Sequence, residues 1–298
     1  MQKKLNGVFA PVVTTFGADG ELDIPSFAAN LRAHLAAGLH GIVVAGSTGE
    51  AALLDAQERG ALVEAARGVI PADKWLIAGT GAESTRTCLQ FTRDAAARGA
   101  DAVLVVAPHY YGSSMNDAAL RDHYRRVADE SPVPMMLYTI PKYMHFALSA
   151  QLVSELAQHE NVIGMKDSSG NRELFAGYLP SQSPTFTVLT GNAQMFNHAL
   201  SSGSPGGILA VSLFAAELAL EVYNAAVAGD RASAEAAQAR LSPLGAKIVG
   251  ELGVPGVKVA MDRVGLAGGP VRPPLQPLAA AQGTLIDELL RSAELATA

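Results

Sequence analysis

The sequence contains little cysteine, few charged residues and no apolar run long enough to span a membrane. Of its 298 residues 17% are charged, and Cys88 is the only cysteine, so no internal disulfide can form. The net charge of -6 gives no basic field that would attract nucleic acid or an acidic membrane surface. The N-terminus, "MQKKLNGVFA", lacks the apolar core of a signal peptide. We therefore expect a cytoplasmic protein without nucleic-acid or membrane partners.

Several common catalytic motifs are also missing. There is no GxGxxG turn after the first apolar run, no GxxxxGK phosphate loop and no GxSxG nucleophile elbow. The 7 histidines are scattered, without an HxH or HExxH pair. These absences disfavour dinucleotide, P-loop, serine-hydrolase and metal chemistry, so we expect neither a metal nor an organic cofactor.

Short apolar runs alternate with amphipathic segments along most of the chain. Eight such runs begin at Gly7, Gly41, Trp75, Ala102, Pro134, Val162, Phe186 and Gly206. They are apolar on both faces, as in a parallel sheet covered by helices. An open doubly wound sheet would need the missing glycine turn. The pattern predicts a (β/α)8 TIM barrel over residues 1–229, with a C-terminal helical region over residues 230–298.

The sixth apolar run ends in a lysine, Lys166, within "VIGMKDSSG". Barrel active sites lie at the carboxyl ends of the strands, where tyrosines and hydroxyls from "GSTGE", "PHYYG" and "YTIPK" should also converge. Burial disfavours the protonated amine, and a neutral amine attacks carbonyls to form a Schiff base. Alternatively, Lys166 reaches solvent or pairs with Asp167. Strand position alone leaves both interpretations open.

The chain resembles the N-acetylneuraminate lyase and dihydrodipicolinate synthase superfamily of Schiff-base barrel enzymes. The resemblance covers nearly the whole chain and rests on "GSTGE", "APHYYG", "YTIP", "GMKDSSG" and "GVPGVKVAMDRVGL", in that order. It implies that Lys166 is the Schiff-base lysine and that Tyr138 relays protons. It also implies that backbone N–H groups at Ser47 and Thr48 hold the pyruvate carboxylate, with the Ser47 hydroxyl joining the relay.

Three further roles follow from the resemblance. Tyr111 matches a tyrosine that reaches the neighbouring subunit's site in tetrameric members, which implies a homo-oligomer, either a tetramer or a dimer. The backbone carbonyl of Ile208 would face the bound keto acid. In the 4-hydroxy-2-oxoglutarate aldolase branch, the serine at the position of Ser168 lies near the second substrate.

Two departures from the family pattern concern the second substrate. Dihydrodipicolinate synthases carry an arginine five residues after the strand-five tyrosine, whereas this chain has Tyr143 there, next to Lys142. A phenol does not replace the bidentate guanidinium, although Lys142 could offer a point charge. Ala56 stands where lysine-inhibited synthases have a histidine. These departures argue against a role in lysine biosynthesis and against feedback inhibition by lysine.

We therefore predict a class I, pyruvate-dependent aldolase. Its substrate would be a 4-hydroxy-2-oxo acid, such as 4-hydroxy-2-oxoglutarate or a 2-keto-3-deoxy sugar acid, which is cleaved to or formed from pyruvate and an aldehyde. One alternative is a 4-hydroxy-tetrahydrodipicolinate synthase, which condenses pyruvate with aspartate semialdehyde. Others are a Schiff-base dehydratase of the same superfamily and a barrel with a vestigial keto-acid site.

Overall fold

The computed structural model describes residues 3–295 as a closed barrel of eight parallel strands. Each strand pairs with the next along the chain, and β1 also pairs with β8. The strands are β1 (Gly7–Pro11), β2 (Gly41–Val44), β3 (Trp75–Gly79), β4 (Ala102–Val106), β5 (Met135–Thr139), β6 (Val162–Asp167), β7 (Thr187–Thr190) and β8 (Gly206–Ile208). This arrangement confirms the predicted (β/α)8 TIM barrel.

Helices follow the strands and cover the outside of the barrel. They are α1 (Ile24–Ala36), α2 (Ala56–Arg67), α3 (Thr85–Ala97), α4 (Asp117–Glu130), α5 (Pro141–Met144), α6 (Ala150–Leu156), α7 (Arg172–Tyr178), α8 (Phe196–Ser201), α9 (Ala216–Val227), α10 (Arg231–Pro243), α11 (Gly253–Arg263) and α12 (Ala280–Ser292). Helix starts follow the sequence locally: Asp23, Asp55 and Ser84 each accept a hydrogen bond from the third N–H of the helix they begin. Between residues 3 and 295, no helix combines the length and apolarity needed to cross a bilayer.

The strands are buried on both faces. All residues of β1, β2 and β5 are inaccessible or nearly so, because side chains fill the barrel and helices cover it. Each fully buried aliphatic or aromatic side chain contributes roughly 1.5–3 kcal/mol through the hydrophobic effect. The carboxyl ends of the strands are therefore held on a rigid, well-packed ring.

The chain after residue 229 returns to the barrel. Helix α10 continues into a π-helical segment, Leu244–Glu251, which is followed by α11. Leu241, Ile248 and Val257 belong to the same hydrophobic core as the barrel strands. The predicted boundary at residues 229 and 230 falls between α9 and α10, and whether it separates two units stays a prediction.

Candidate active site

A cavity of about 150 Å³ lies at the carboxyl ends of the strands, closed on one side by the C-terminal region. Six of the seven residues predicted for the site line it: Ser47, Thr48, Tyr138, Lys166, Ser168 and Ile208. The seventh, Tyr111, does not. Its side chain is 69% exposed and packs edge-on against Tyr110, with ring centroids 5.0 Å apart. Within one chain, the structure therefore brings together every predicted site residue except Tyr111.

Lys166 is on β6 and is only 6% exposed. Among residues 3–295, no carboxylate oxygen lies within 4.0 Å of its Nζ. Gly191 makes room for its stem, because a Cβ at position 191 would lie 2.6 Å from Lys166 Cε. Solvent is largely excluded and no anion neutralises the amine. A buried amine without an anionic partner is a candidate nucleophile towards carbonyls.

Asp167 is not the partner of this lysine. Successive side chains of a strand point to opposite faces, and Asp167 does not line the cavity. Its carboxylate accepts hydrogen bonds from the Ser169 N–H and hydroxyl, each at 2.9 Å. Burial raises the pKa of Asp167 to about 6. The structure thus rules out an ion pair between Lys166 and Asp167.

Tyr138 lies beside Lys166 on the neighbouring strand. The two residues are register partners of β5 and β6, and the Lys166 Nζ is 4.5 Å from the centroid of the Tyr138 ring. Tyr138 is 4% exposed and also lines the cavity. A tyrosine hydroxyl held next to a nucleophilic amine is suited to proton transfer during Schiff-base chemistry.

Ser47 and Thr48 form a tight turn after β2. The turn, Ser47–Gly49, is one turn of 3-10 helix, and neither the Ser47 nor the Thr48 N–H has a hydrogen-bond partner among residues 3–295. The buried Thr14 hydroxyl supports the turn by donating to the Gly49 carbonyl at 2.6 Å. Both residues line the cavity, and two N–H groups without partners there are suited to hold a carboxylate through charge-assisted hydrogen bonds.

The cavity also has Lys142 in its wall, which the sequence left open, and an apolar roof that the sequence did not indicate. Lys142 lines it, and its Nζ donates to the Gly250 carbonyl at 2.6 Å. The roof comes from the C-terminal region, through Gly245, Val249, Gly250, Gly253, Val254 and Val257. Asn192, after β7, and Tyr143 complete the polar lining, and burial raises the pKa of Tyr143.

The charges around the cavity favour anionic ligands. Lys142 lines it beside the amine of Lys166, and none of the lining residues is aspartate or glutamate. Among residues 3–295, no group of three or more His, Cys, Asp or Glu side chains is placed to hold a metal ion. The arrangement can therefore bind a small acid by its carboxylate and present a buried amine to its carbonyl.

Comparison with known proteins agrees with this geometry. The profile of the dihydrodipicolinate synthetase family matches residues 4–293. A 4-hydroxy-tetrahydrodipicolinate synthase from Xanthomonas axonopodis pv. citri is 36% identical over 289 residues, covering 97% of this chain and 95% of the relative.

Two solved structures that contain pyruvate share the fold. The chloride-inhibited dihydrodipicolinate synthase from Acinetobacter baumannii superimposes with a TM-score of 0.93 at 28% identity, covering 98% of this chain and 100% of that chain. YagE, a prophage protein of the dihydrodipicolinic acid synthase family from E. coli K12, gives a TM-score of 0.92 at 29% identity, covering 98% and 99%.

Proposed function

The chain belongs to the dihydrodipicolinate synthetase family of Schiff-base, pyruvate-dependent enzymes, and we propose that Lys166 is the amine that reacts with pyruvate. The observation that carries the proposal is the buried Lys166 amine, which has no counter-ion and faces a cavity shared with Tyr138 and two free N–H groups. That cavity supplies both the nucleophile and a site for the carboxylate beside the reacting carbonyl.

The chemistry follows from these groups. The neutral Nζ of Lys166 attacks the C2 carbonyl of pyruvate, and loss of water leaves an iminium ion. The iminium accepts the electron pair released when a methyl C–H bond breaks, which produces an enamine. Tyr138, assisted by the Ser47 hydroxyl, carries the protons. The enamine carbon then attacks an aldehyde, and the alkoxide formed is protonated through the same relay. Attack on the resulting C2 iminium by water, or by the amino group of aspartate semialdehyde, breaks the bond to Nζ and regenerates the Lys166 amine.

For the second substrate, the relatives favour aspartate semialdehyde. The curated relative from Xanthomonas is named a 4-hydroxy-tetrahydrodipicolinate synthase, and this name supports the synthase over the aldolase that the motifs suggested. We propose that the enzyme condenses pyruvate with aspartate semialdehyde. In this reaction Lys142, together with Ser168 in the same cavity, would take the role of the arginine that Tyr143 replaces.

One observation keeps the aldolase as a second candidate. A phenol at position 143 cannot form the bidentate contact that an arginine makes with a carboxylate. A site that handles a smaller or differently placed acid, as in cleavage of 4-hydroxy-2-oxoglutarate, would not need that contact. When both start from pyruvate, the two candidates share the steps up to the enamine. They then differ in the aldehyde and in whether water or the amino group of aspartate semialdehyde frees the product from Lys166.

We also propose that Tyr111 acts in the site of a second copy of the chain. It lies outside the cavity of its own chain, and both it and Tyr110 are exposed aromatic side chains. A homo-oligomer in which this pair covers a neighbouring subunit would complete the predicted relay and bury an apolar surface.

The test begins with pyruvate and sodium borohydride, followed by peptide mass spectrometry. Reduction should fix an adduct on Lys166, whereas Lys247, an exposed lysine of the same protein, should remain unmodified. Failure of the folded enzyme to form an adduct with pyruvate would refute the proposal.

Product analysis then assigns the second substrate. Consumption of aspartate semialdehyde with pyruvate would support the synthase. Release of glyoxylate from 4-hydroxy-2-oxoglutarate would support the aldolase. Loss of water from a sugar acid would indicate a dehydratase, and an adduct without turnover of any aldehyde would indicate a vestigial site.

A further inference from the structure

A fully buried ion pair lies directly behind the Ser47–Gly49 turn. The Lys258 Nζ is 2.5 Å from Glu50 Oε1, and the two side chains are 2% and 0% exposed. Neither residue lines the cavity, so neither can touch a substrate. A buried ion pair adds little net stability, because desolvation of both charges offsets their attraction. Its presence at this place therefore calls for an explanation other than stability alone.

Glu50 is part of the turn itself. Its backbone N–H donates to the Ser47 carbonyl at 3.2 Å and closes the 3-10 turn. Its backbone is in the left-handed region, with φ of 57°, which is unusual for a residue other than glycine, asparagine or aspartate. The strained backbone is held by the side chain, because Glu50 Oε2 also accepts the Arg272 N–H at 2.9 Å.

Lys258 is part of the roof helix. It lies on α11, whose Val254 and Val257 line the cavity. Its Nζ also donates to the Pro270 carbonyl at 2.7 Å and lies 4.7 Å from the centroid of the Phe16 ring. Burial lowers the pKa of Lys258, while the Glu50 carboxylate opposes that effect. One ion pair thus joins the turn that carries the free N–H groups to the helix that roofs the cavity.

We propose that Glu50 and Lys258 are positioning residues, which fix the turn against α11 so that the Ser47 and Thr48 N–H groups face the carboxylate of the keto acid. The inference rests on the proposed function, because it assumes that these N–H groups bind pyruvate. Without the ion pair, the turn would be free to rotate its N–H groups away from the cavity. Loss of the ion pair should therefore weaken the binding of pyruvate more than it slows the chemical steps that follow.

The test compares the double variant Glu50→Gln/Lys258→Met with the wild type. This variant removes both charges and keeps similar side-chain volumes, so that no uncompensated buried charge remains. We expect a folded protein whose KM for pyruvate rises on the order of tenfold or more, while kcat changes much less. The pyruvate concentration that gives half-maximal borohydride trapping on Lys166 should rise by the same factor.

Further variants separate positioning from stability. Asp287→Asn breaks the exposed Arg263–Asp287 pair, which joins α11 to α12 but not to the turn, and should leave the KM for pyruvate unchanged. The single variant Lys258→Arg keeps the positive charge and should retain part of the affinity for pyruvate that the double variant loses. If the double variant does not fold, Glu50→Asp decides, because the shorter carboxylate no longer reaches Lys258, and a wild-type KM for pyruvate in this variant refutes the inference.

The failures of the two proposals can be told apart. A folded double variant with a wild-type KM for pyruvate would show that the pair only stabilises the fold, and the positioning role would be wrong. Absence of trapping in the wild type at any pyruvate concentration would instead refute the proposed function, on which the inference depends.

Discussion

Tyr138 and Lys166 face each other across neighbouring strands, with the lysine Nζ 4.5 Å from the centre of the tyrosine ring. Strand register fixes this contact, because the two residues are direct partners of β5 and β6 and cannot separate without breaking the barrel. The nucleophile and its proton carrier are thus prearranged by the fold. Such prearrangement lowers the cost of orienting the reacting groups.

Lys166→Met should abolish pyruvate trapping and turnover without loss of stability. The variant removes a buried amine that has no carboxylate partner, and burying such a group unpaired is costly. The thermal unfolding midpoint should therefore remain the same or rise. Lys247→Met, which removes an exposed lysine paired with Glu251, serves as the control and should retain full activity. Normal turnover by Lys166→Met would contradict the mechanism.

Tyr138→Phe tests the proton carrier. The ring that contacts Lys166 is retained and only the hydroxyl is lost, so kcat should fall by a factor on the order of 10² to 10⁴, the usual range for general acid–base groups. Steady-state kinetics with pyruvate and the productive aldehyde would measure the fall. Tyr223→Phe alters a tyrosine of α9 that does not line the cavity and should have no such effect. An unchanged kcat in Tyr138→Phe would assign proton transfer to another group.

The barrel could be predicted because its strands are unusually clear in the sequence. Each of the eight apolar runs contains a strand of the barrel. The residues at which the strands end were less well predicted. The first run continues to Phe16, whereas β1 ends at Pro11, because Val12 and Val13 stay buried in the following loop. Lys166 and Tyr138 were recognisable since each lies one residue before the carboxyl end of a strand, and the strand ends of a barrel converge.

The roof and its ion pair could not be predicted in this way. Val249, Val254 and Val257 reach the cavity only through the packing of the C-terminal region on the barrel. Nothing local in the sequence indicates that Glu50 pairs with Lys258, because the contact joins distant segments. Tertiary packing decides both, and it is not encoded in the periodicity from which strands and helices are predicted.

Lys142→Met should weaken selection for anionic aldehydes. Lys142 Nζ donates one hydrogen bond to Gly250, which leaves two N–H donors for a carboxylate. Loss of a charge-assisted hydrogen bond should lower kcat/KM for succinic semialdehyde on the order of 10- to 100-fold, while leaving that for uncharged butanal unchanged. An equal fall in kcat/KM for both aldehydes would show that Lys142 does not distinguish charged from uncharged aldehydes. Lys247→Met is again the matched control.

Tyr111 can be tested by mixing inactive chains. Tyr111→Phe chains retain Lys166, and Lys166→Ala chains retain Tyr111. If Tyr111 acts in a neighbouring site, each kind of chain supplies the residue that the other lacks. Co-assembled oligomers should then contain some complete sites and regain part of the activity. Lys166→Ala chains mixed with Tyr138→Phe/Tyr111→Phe chains cannot form a complete site and should remain inactive. Mixed oligomers, verified by mass, that show no recovery would place Tyr111 outside the catalytic relay.

The buried His34 predicts how stability depends on pH. It is 2% exposed on α1, and burial lowers its pKa to about 4, so it is uncharged in the folded protein. The unfolded chain takes up a proton near the ordinary value of 6.5, which favours unfolding. The stability that His34 provides is therefore complete above pH 6.5 and is lost as the pH falls towards 4.

At pH 5 this loss should be about 2 kcal/mol in the free energy of unfolding, and His34→Gln should remove it. His123, whose pKa is also lowered to about 4 by burial, adds in the same direction, whereas Asp167 acts in the opposite one. Denaturant unfolding gives the change in the free energy of unfolding between pH 7 and pH 5 for the wild type and for the variant. The contribution of His34 is the wild-type change minus the variant change. If His34→Gln shows the same acid loss as the wild type, the destabilisation originates elsewhere.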